Sequence, residues 1–123
     1  MNVELIFDAK AILGEGSAWD SKTQTLYWLD ILQKKIYANY DLLIELDDLI
    51  GCLAPCKNGN LILGKRASLI DLEVGSAHQT NLYLLHEPTT NRINDGKCDS
   101  AGRFYFRHNG YERKRFNGQF IFL

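Results

Sequence analysis

The sequence has little of three things: net charge, long apolar runs and cysteine. Its 14 basic and 15 acidic residues leave a formal charge of -1, so the chain has no overall field that would attract nucleic acid or an anionic membrane. No stretch approaches the roughly 20 apolar residues that span a bilayer. The opening residues, Met1-Asn2-Val3-Glu4, lack the basic start and apolar run of a secretory signal. These absences predict a cytoplasmic protein that binds neither nucleic acid nor membrane.

The cysteines are few and odd in number. Cys52, Cys56 and Cys98 do not suggest a disulfide framework, which favours a reducing compartment. Cys52 and Cys56 have no second pair of Cys or His residues at zinc-finger spacing, so we expect them to be small core or strand residues. The cysteines therefore predict no site of their own.

What the sequence does contain is a succession of short apolar runs separated by Asn, Asp, Gly and Lys. Long stretches with helical spacing do not occur, so the pattern predicts an all-β chain. Its 123 residues suit one domain, residues 1–123. The first predicted strand is Val3–Phe7. The runs Leu26–Leu29 and Leu61–Leu63 are apolar at consecutive positions, which predicts strands covered on both faces.

One local pattern, a turn followed by an apolar strand, recurs three times. Aligned on it, Leu26, Leu61 and Phe104 are equivalent, with separations of 35 and 43 residues. A unit of roughly 40 residues with about four short strands is typical of a propeller blade. Propellers usually close with about 4 to 8 blades, and this chain supplies about two and a half. We expect a fragment of a longer gene, a half that pairs with another chain, or a small β-sheet of another kind.

The most distinctive stretch runs from Asn91 to Phe106, where polar side chains crowd the first nine positions before an apolar strand. This composition predicts a polar loop, either a solvated turn or a loop that holds functional groups. Arg92 and Asn94 are two residues apart, so in an extended segment they point to the same side. A guanidinium beside an amide suits a ligand rich in hydroxyl and carbonyl oxygens.

A single carboxylate near the N-terminus is the second candidate. Glu15 lies between Gly14 and Gly16, just before a predicted strand. It is either a surface residue in a turn or a group at the entry of an inner strand, because flanking glycines let backbones approach closely.

The segments Leu13–Gly16 with Trp19-Asp20, Thr25–Ile31 and Asn91–Lys97 with Ala101–Phe104 together resemble the gluconolactonase, regucalcin and senescence-marker-protein group of sugar-lactone hydrolases. The resemblance implies a six-bladed β-propeller with one divalent cation, calcium or zinc, in its central channel. It implies metal-dependent hydrolysis of a sugar lactone. The implied site residues are Glu15 as a metal ligand and Arg92, Asn94 and Glu112 as substrate contacts.

The chain also departs from that family. The family's other two protein metal ligands, an Asn and an Asp that is the expected base, come from later blades beyond Leu123, so no catalytic base is expected within this chain. One carboxylate cannot hold a divalent cation tightly. We therefore predict a gluconolactonase-like enzyme that lacks later ligands. Two alternatives are a non-catalytic remnant or binding module, and a chain that completes a propeller with the missing C-terminal blades or other copies of itself.

Overall fold

The computed structural model of the chain describes residues 1–85, 92–109 and 118–122. Within those residues it contains eleven β-strands in three antiparallel sheets. The strands are, in the first sheet, β1 (Gly14–Asp20), β2 (Thr25–Asp30), β3 (Lys35–Ala38) and β4 (Asp41–Glu45); in the second, β5 (Ile50–Pro55), β6 (Leu61–Lys65), β7 (Ser68–Leu72) and β8 (Gln79–Leu84); in the third, β9 (Arg92–Cys98), β10 (Arg103–Asn109) and β11 (Gly118–Phe122). Strands pair in chain order within each sheet. Each sheet is thus the meander of a propeller blade.

The second blade packs between the other two. Side chains alternate between the faces of a strand, so neighbours on β6 enter different apolar clusters. Leu61 and Leu63 pack toward the first blade, whereas Ile62 between them packs toward Ile93 and Phe104 of the third. All five side chains are buried. The prediction that Leu61–Leu63 is covered on both faces is therefore confirmed, and blade stacking is the reason.

The strand β2 is covered fully on one face only. Tyr27 and Leu29 are buried in the cluster shared with the second blade, but Leu26 is 41% exposed. Trp28 on that outer face is met edge-on by the ring of Phe7, with centroids 6.3 Å apart. The prediction of two covered faces is thus wrong for β2, because no described blade packs on this side.

Two further predictions from the sequence, one of a loop and one of a strand, need correction. Residues 92–98, predicted as a polar loop, form β9, which pairs with β10 along its length. The fully buried Ile93 anchors this strand despite its polar composition. Val3–Phe7, predicted as a strand, is not one. No described strand pairs with its backbone, and Val3 and Leu5 are largely exposed.

The first strands of the blades lie next to one another, with β5 in contact with both β1 and β9. This arrangement confirms the all-β prediction and positions the site described below. Over the described residues, no helix has the length and apolar character needed to cross a membrane.

Candidate functional site

The strands β1, β5 and β9 line one cavity of about 740 Å³. Its wall consists of residues 15–22, 51–57 and 94–98, one segment from each blade. This volume is within the range of roughly 300–1,000 Å³ that is usual for small-molecule sites. Of the predicted site residues, Glu15 and Asn94 line the cavity, Arg92 does not, and Glu112 lies outside the described residues.

Each of the three lining strands contains a β-bulge near its start. The extra residue lies at Gly16 or Ser17 in β1, at Gly51 in β5 and at Asn94 in β9. Gly16, Gly51 and Asn94 are separated by 35 and 43 residues, the same spacings as the sequence repeat. Bulges redirect side chains and are common beside functional sites. Of the three residues at this spacing, Asn94 is the one with a polar side chain.

The bulge in β9 also separates the environments of Arg92 and Asn94. It interrupts the strict alternation on which their predicted shared side rests, and Asn94 alone lines the cavity. Arg92 opens β9 opposite Asn109 and is half-buried. Its Nη1 is buried and has no hydrogen-bond partner within the described residues. Leaving a buried donor unpaired costs about 1–3 kcal/mol, so an acceptor from outside the described residues would be favoured there.

The backbone around Asn94 is held by close contact with the second blade. A Cβ atom added to Gly51 would lie 1.7 Å from the Ile93 carbonyl oxygen and 3.0 Å from Asn94 Cα. No side chain fits at such distances, so only glycine lets β5 and β9 approach this closely. Gly51 therefore sets the distance between the two strands beside Asn94.

Glu15 is exposed and stands opposite Leu29 in the β1–β2 register. The following Gly16 has φ +65°, and a Cβ there would lie 2.8 Å from Leu29 Cδ1. A positive φ and a close approach both favour glycine. This agrees, for Gly16, with the prediction that the glycines beside Glu15 allow close approach. Within the described part of the chain, no hydrogen bond or ion pair involves the Glu15 carboxylate, so its oxygens are available to a ligand.

The chain just before Glu15 is held by a buried carboxylate that sequence reasoning missed. Asp30 is fully buried and accepts hydrogen bonds from Ile12 N at 2.9 Å and from Leu13 N at 3.1 Å. The Leu13 carbonyl in turn accepts from Ile31 N at 3.0 Å. Hydrogen bonds to a charged acceptor are stronger than neutral ones. The signal available in the sequence was Asp30 itself, a single carboxylate at the end of an apolar strand. A buried Asp almost always has hydrogen-bond partners, so this residue could have been expected to hold a neighbouring segment.

Cys52 fills the space between the second and third blades. A Cβ at Gly64 would lie 2.6 Å from its Sγ, and one at Gly96 would lie 2.8 Å away. Burial raises the pKa of the Cys52 thiol to about 12, so this side chain stays neutral at physiological pH. The prediction that Cys52 is a small core residue is confirmed.

The described residues do not by themselves form a divalent cation site. No group of three or more His, Cys, Asp or Glu side chains in this part of the chain could hold a metal ion. Glu15 and Asn94 offer a carboxylate and an amide oxygen at one cavity, but Ca²⁺ takes about 6–8 oxygen ligands. A tightly bound cation would need ligands from outside the described residues.

Two four-stranded meanders and a third with three described strands pack face to face, and their first strands line a common cavity; this arrangement defines a partial β-propeller. Residues 13–122 match the family model described as "SMP-30/Gluconolactonase/LRE-like region". The chain therefore belongs to this family, as the sequence motifs predicted.

Relatives and solved structures agree with this assignment. The chain is 30% identical over 112 residues to regucalcin of Danio rerio, a match that covers 85% of this chain and 37% of that protein. It is 29% identical over 127 aligned positions to L-arabinolactonase of Azospirillum brasilense, covering 97% and 42%. The fold is similar to that of a calcium-binding protein, regucalcin, from Agrobacterium tumefaciens, with a TM-score of 0.72, 20% identity and coverage of 89% and 39%. The chain thus spans less than half the length of these relatives.

We predict that Gly51→Ala destabilises the chain by about 2–3 kcal/mol, because the added methyl group collides with backbone atoms of β9 that cannot move aside without opening the blade interface. Urea unfolding of both proteins measures the difference. Gly75→Ala is the matched control: a Cβ there meets nothing within 4 Å, so its effect should stay below about 0.5 kcal/mol. Equal effects of the two substitutions would contradict the role assigned to Gly51.

We also predict that Asp30→Ala destabilises the chain by about 3 kcal/mol, because two partly buried backbone amides lose a charged acceptor. Hydrogen exchange should show the greatest loss of protection at Ile12 and Leu13. Asp20→Ala removes comparable bonds, to Lys22 N and Thr23 Oγ1, in an exposed turn, where the cost should be about 1 kcal/mol or less. A small effect of Asp30→Ala with unchanged exchange at residues 12–13 would show that the carboxylate does not hold this segment.

Proposed function

We propose that the chain forms part of the active site of a metal-dependent sugar-lactone hydrolase. The observation that carries the proposal is that Glu15 and Asn94, from different blades, line the same cavity of about 740 Å³. Membership of a family whose description includes gluconolactonase supports it. So does the similarity to L-arabinolactonase, a protein named for lactone hydrolysis.

The proposed roles follow from the chemistry of the side chains. Asn94 donates and accepts hydrogen bonds through its amide, which suits the hydroxyl and ring oxygens of a sugar lactone. Arg92 does not line the cavity formed by the described residues; it is retained as a proposed substrate contact because its Nη1 lacks an acceptor among those residues. Glu112 is a further proposed substrate contact, and the base is expected beyond Leu123. The protein is expected to act in the cytoplasm.

The proposed cation is calcium or zinc, with Glu15 as one of its ligands. One relative of known structure is named as a calcium-binding protein. Carboxylate and amide oxygens are the ligands that hard cations such as Ca²⁺ prefer, which favours calcium at this cavity. The remaining ligands would come from outside the described residues, since no cluster of three candidate groups lies within them.

A second candidate function is a module that binds a sugar lactone without hydrolysing it. It is favoured by the incomplete set of metal ligands in the described residues. Such a module would use Asn94 for binding, as in the first proposal, but would have no turnover.

The chain could also complete a propeller with the missing C-terminal blades or with another copy of itself. The outer face of the first blade supports this alternative, because Trp19 and Leu26 remain 55% and 41% exposed there. Exposed apolar surface of this kind is typical of a face that another element covers.

We predict that the chain, joined to C-terminal blades that supply the expected base and the remaining metal ligands, hydrolyses glucono-1,5-lactone above the spontaneous rate when calcium or zinc is added. Glu15→Gln and Asn94→Ala should each lower this rate at least about tenfold, because the first removes a proposed metal ligand and the second removes hydrogen bonds that position the lactone. Glu45→Gln, an exposed carboxylate at the end of β4 and away from the cavity, is the matched control and should leave the rate unchanged. Catalysis that survives both cavity substitutions would rule out the assigned site.

Titration with lactone and measurement of molecular mass separate the alternatives. Lactone binding without hydrolysis, abolished by Asn94→Ala, is the outcome expected for a non-catalytic module. A mass of two or more chains by light scattering is expected if copies assemble into a ring, and activity from a monomer excludes that assembly. A chain that neither binds nor hydrolyses lactones in any of these states would contradict both functions.

A further inference from the structure

The contacts between neighbouring blades follow the sequence repeat. The repeat gives each blade a leading position and, one residue later, a following position. The leading positions are Leu26, Leu61 and Phe104, and the following positions are Tyr27, Ile62 and Tyr105. Tyr27 shares one buried cluster with Leu61, and Ile62 shares the other with Phe104. At both interfaces, therefore, the following position of one blade packs in the same cluster as the leading position of the next blade.

Leu26 and Tyr105 are the members at the two ends of this series. They are 41% and 42% exposed, whereas the other four side chains are buried. Phe104 and Phe106 pack toward the second blade, so Tyr105 between them points to the opposite face of the third blade. The series thus ends on an exposed leading position in the first blade and an exposed following position in the third.

The face of the first blade that carries Leu26 is apolar and forms a groove. Trp19 stands opposite Leu26 in the β1–β2 register, and Trp28 stacks on Tyr37 with ring centroids 4.1 Å apart. Residues of β1, β2 and the N-terminal segment line the groove, which has a volume of about 690 Å³. Apolar surface exposed in this way marks an interaction site.

The N-terminal segment places a strand-like stretch beside this groove. Residues 3–7 are mostly apolar and pair with no described strand, and Val3 and Leu5 are 90% and 79% exposed. Phe7 lies against the ring of Trp28. The third sheet, in turn, has three described strands with β11 at its edge, where the other two sheets have four. The chain therefore combines a spare strand-like segment with a sheet edge that can accept one.

The side chains beside the two exposed positions are also complementary in charge. Lys97 is exposed and stands opposite Tyr105 in the β9–β10 register, so the two side chains share a face. Trp19 shares a face with Leu26 in the same way. First strands of adjacent blades lie side by side, so a third blade stacked on Leu26 through Tyr105 would bring Lys97 to Trp19. A lysine ammonium is attracted to the face of an indole ring.

We propose that this face of the first blade binds a second copy of the chain. Tyr105 of each copy packs against Leu26 of the other, and residues 3–7 of each copy pair with β11 of the other. Each new interface repeats the contact that already joins the blades within one chain. The proposal makes specific the assembly of copies considered above, and it does not rest on lactone hydrolysis.

The number of blades favours closure after two copies. Each chain contains three sheets, so two copies supply six blades, within the range of about 4 to 8 at which propellers close. A contact between two different surfaces forms a closed assembly if its rotation closes, and an open filament if it does not. Two copies related by a two-fold axis therefore cover both exposed faces of each chain and leave no end open.

The first test is the mass of the full chain in solution. We expect light scattering to give the mass of two chains of 14.1 kDa each. Leu26→Lys should give monomers, because the contact would bury an unpaired charge. Leu32→Lys is the matched control: Leu32 is also exposed but does not line the groove, so the dimer should remain. Any other mass for the wild-type chain, or a dimer that survives Leu26→Lys, overturns the proposal.

Cross-linking tests which surfaces meet. Cys56→Ser and Cys98→Ser leave the buried Cys52 as the remaining native cysteine. In this background, a chain with Leu26→Cys is mixed with a chain with Tyr105→Cys, and a short bis-maleimide is added. We expect positions 26 and 105 to be joined between chains in the mixture and in neither variant alone. No cross-link in the mixture, or a cross-link between two chains with Leu26→Cys, overturns the proposed contact.

Leu5→Pro tests the strand pairing separately. Proline has no amide hydrogen to donate to a neighbouring strand, so the dissociation constant of the dimer should rise at least about tenfold. The stability of the single chain should not change, because no described strand pairs with this segment. Leu5→Val keeps the amide and is the matched control, with an unchanged dissociation constant. Equal dissociation constants for the two variants would overturn the pairing of residues 3–7 with β11.

Discussion

The close approach of β5 and β9 is the constraint on which the rest of the arrangement depends. At Gly51 the second blade meets the backbone of the third with no room for a side chain. That contact lets Cys52, Ile62, Ile93 and Phe104 fill the space behind it as one apolar cluster. In front of it, the same contact brings the cavity segments of the two blades together. Core packing and cavity shape are thus two results of one interstrand distance.

The first blade is joined to this pair by different means. Its cluster with the second blade is made of large aliphatic side chains such as Leu29, Ile36 and Leu63, which tolerate small shifts better than a backbone contact does. The position of Glu15 therefore needs a separate device, and the buried Asp30 provides it through the amides of Ile12 and Leu13. Glu15 and Asn94 line one cavity although they are held differently. The segment before Glu15 is held by hydrogen bonds to Asp30 within the first blade, whereas Asn94 is held by the steric contact between Gly51 and β9.

The sequence predicted those parts of the fold that follow from apolar patterning. The repeat aligned on Leu26, Leu61 and Phe104 correctly indicated stacked blades, because strand burial leaves a direct mark on composition. The strand β9 escaped notice, since one side of it lines the cavity and carries polar residues that also occur in turns. The bulge at Asn94 was equally hidden: an extra residue in one strand becomes visible only when the partner strand is known. Family motifs predicted Glu15 and Asn94 as site residues, and both line the cavity, but the motifs did not indicate the supports at Asp30 and Gly51.

The recurrence of the bulge at Gly16, Gly51 and Asn94 has an evolutionary consequence. Each blade has the same small irregularity near the start of its first strand, yet two of the three positions are closed to change. Gly16 is restricted by its φ of +65° and by the Leu29 side chain, and Gly51 by the Ile93 backbone. A different side chain can be introduced easily only at the third position, where Asn94 already carries an amide. Among these repeated positions, side-chain chemistry can therefore vary most readily at residue 94, while the other two preserve the architecture.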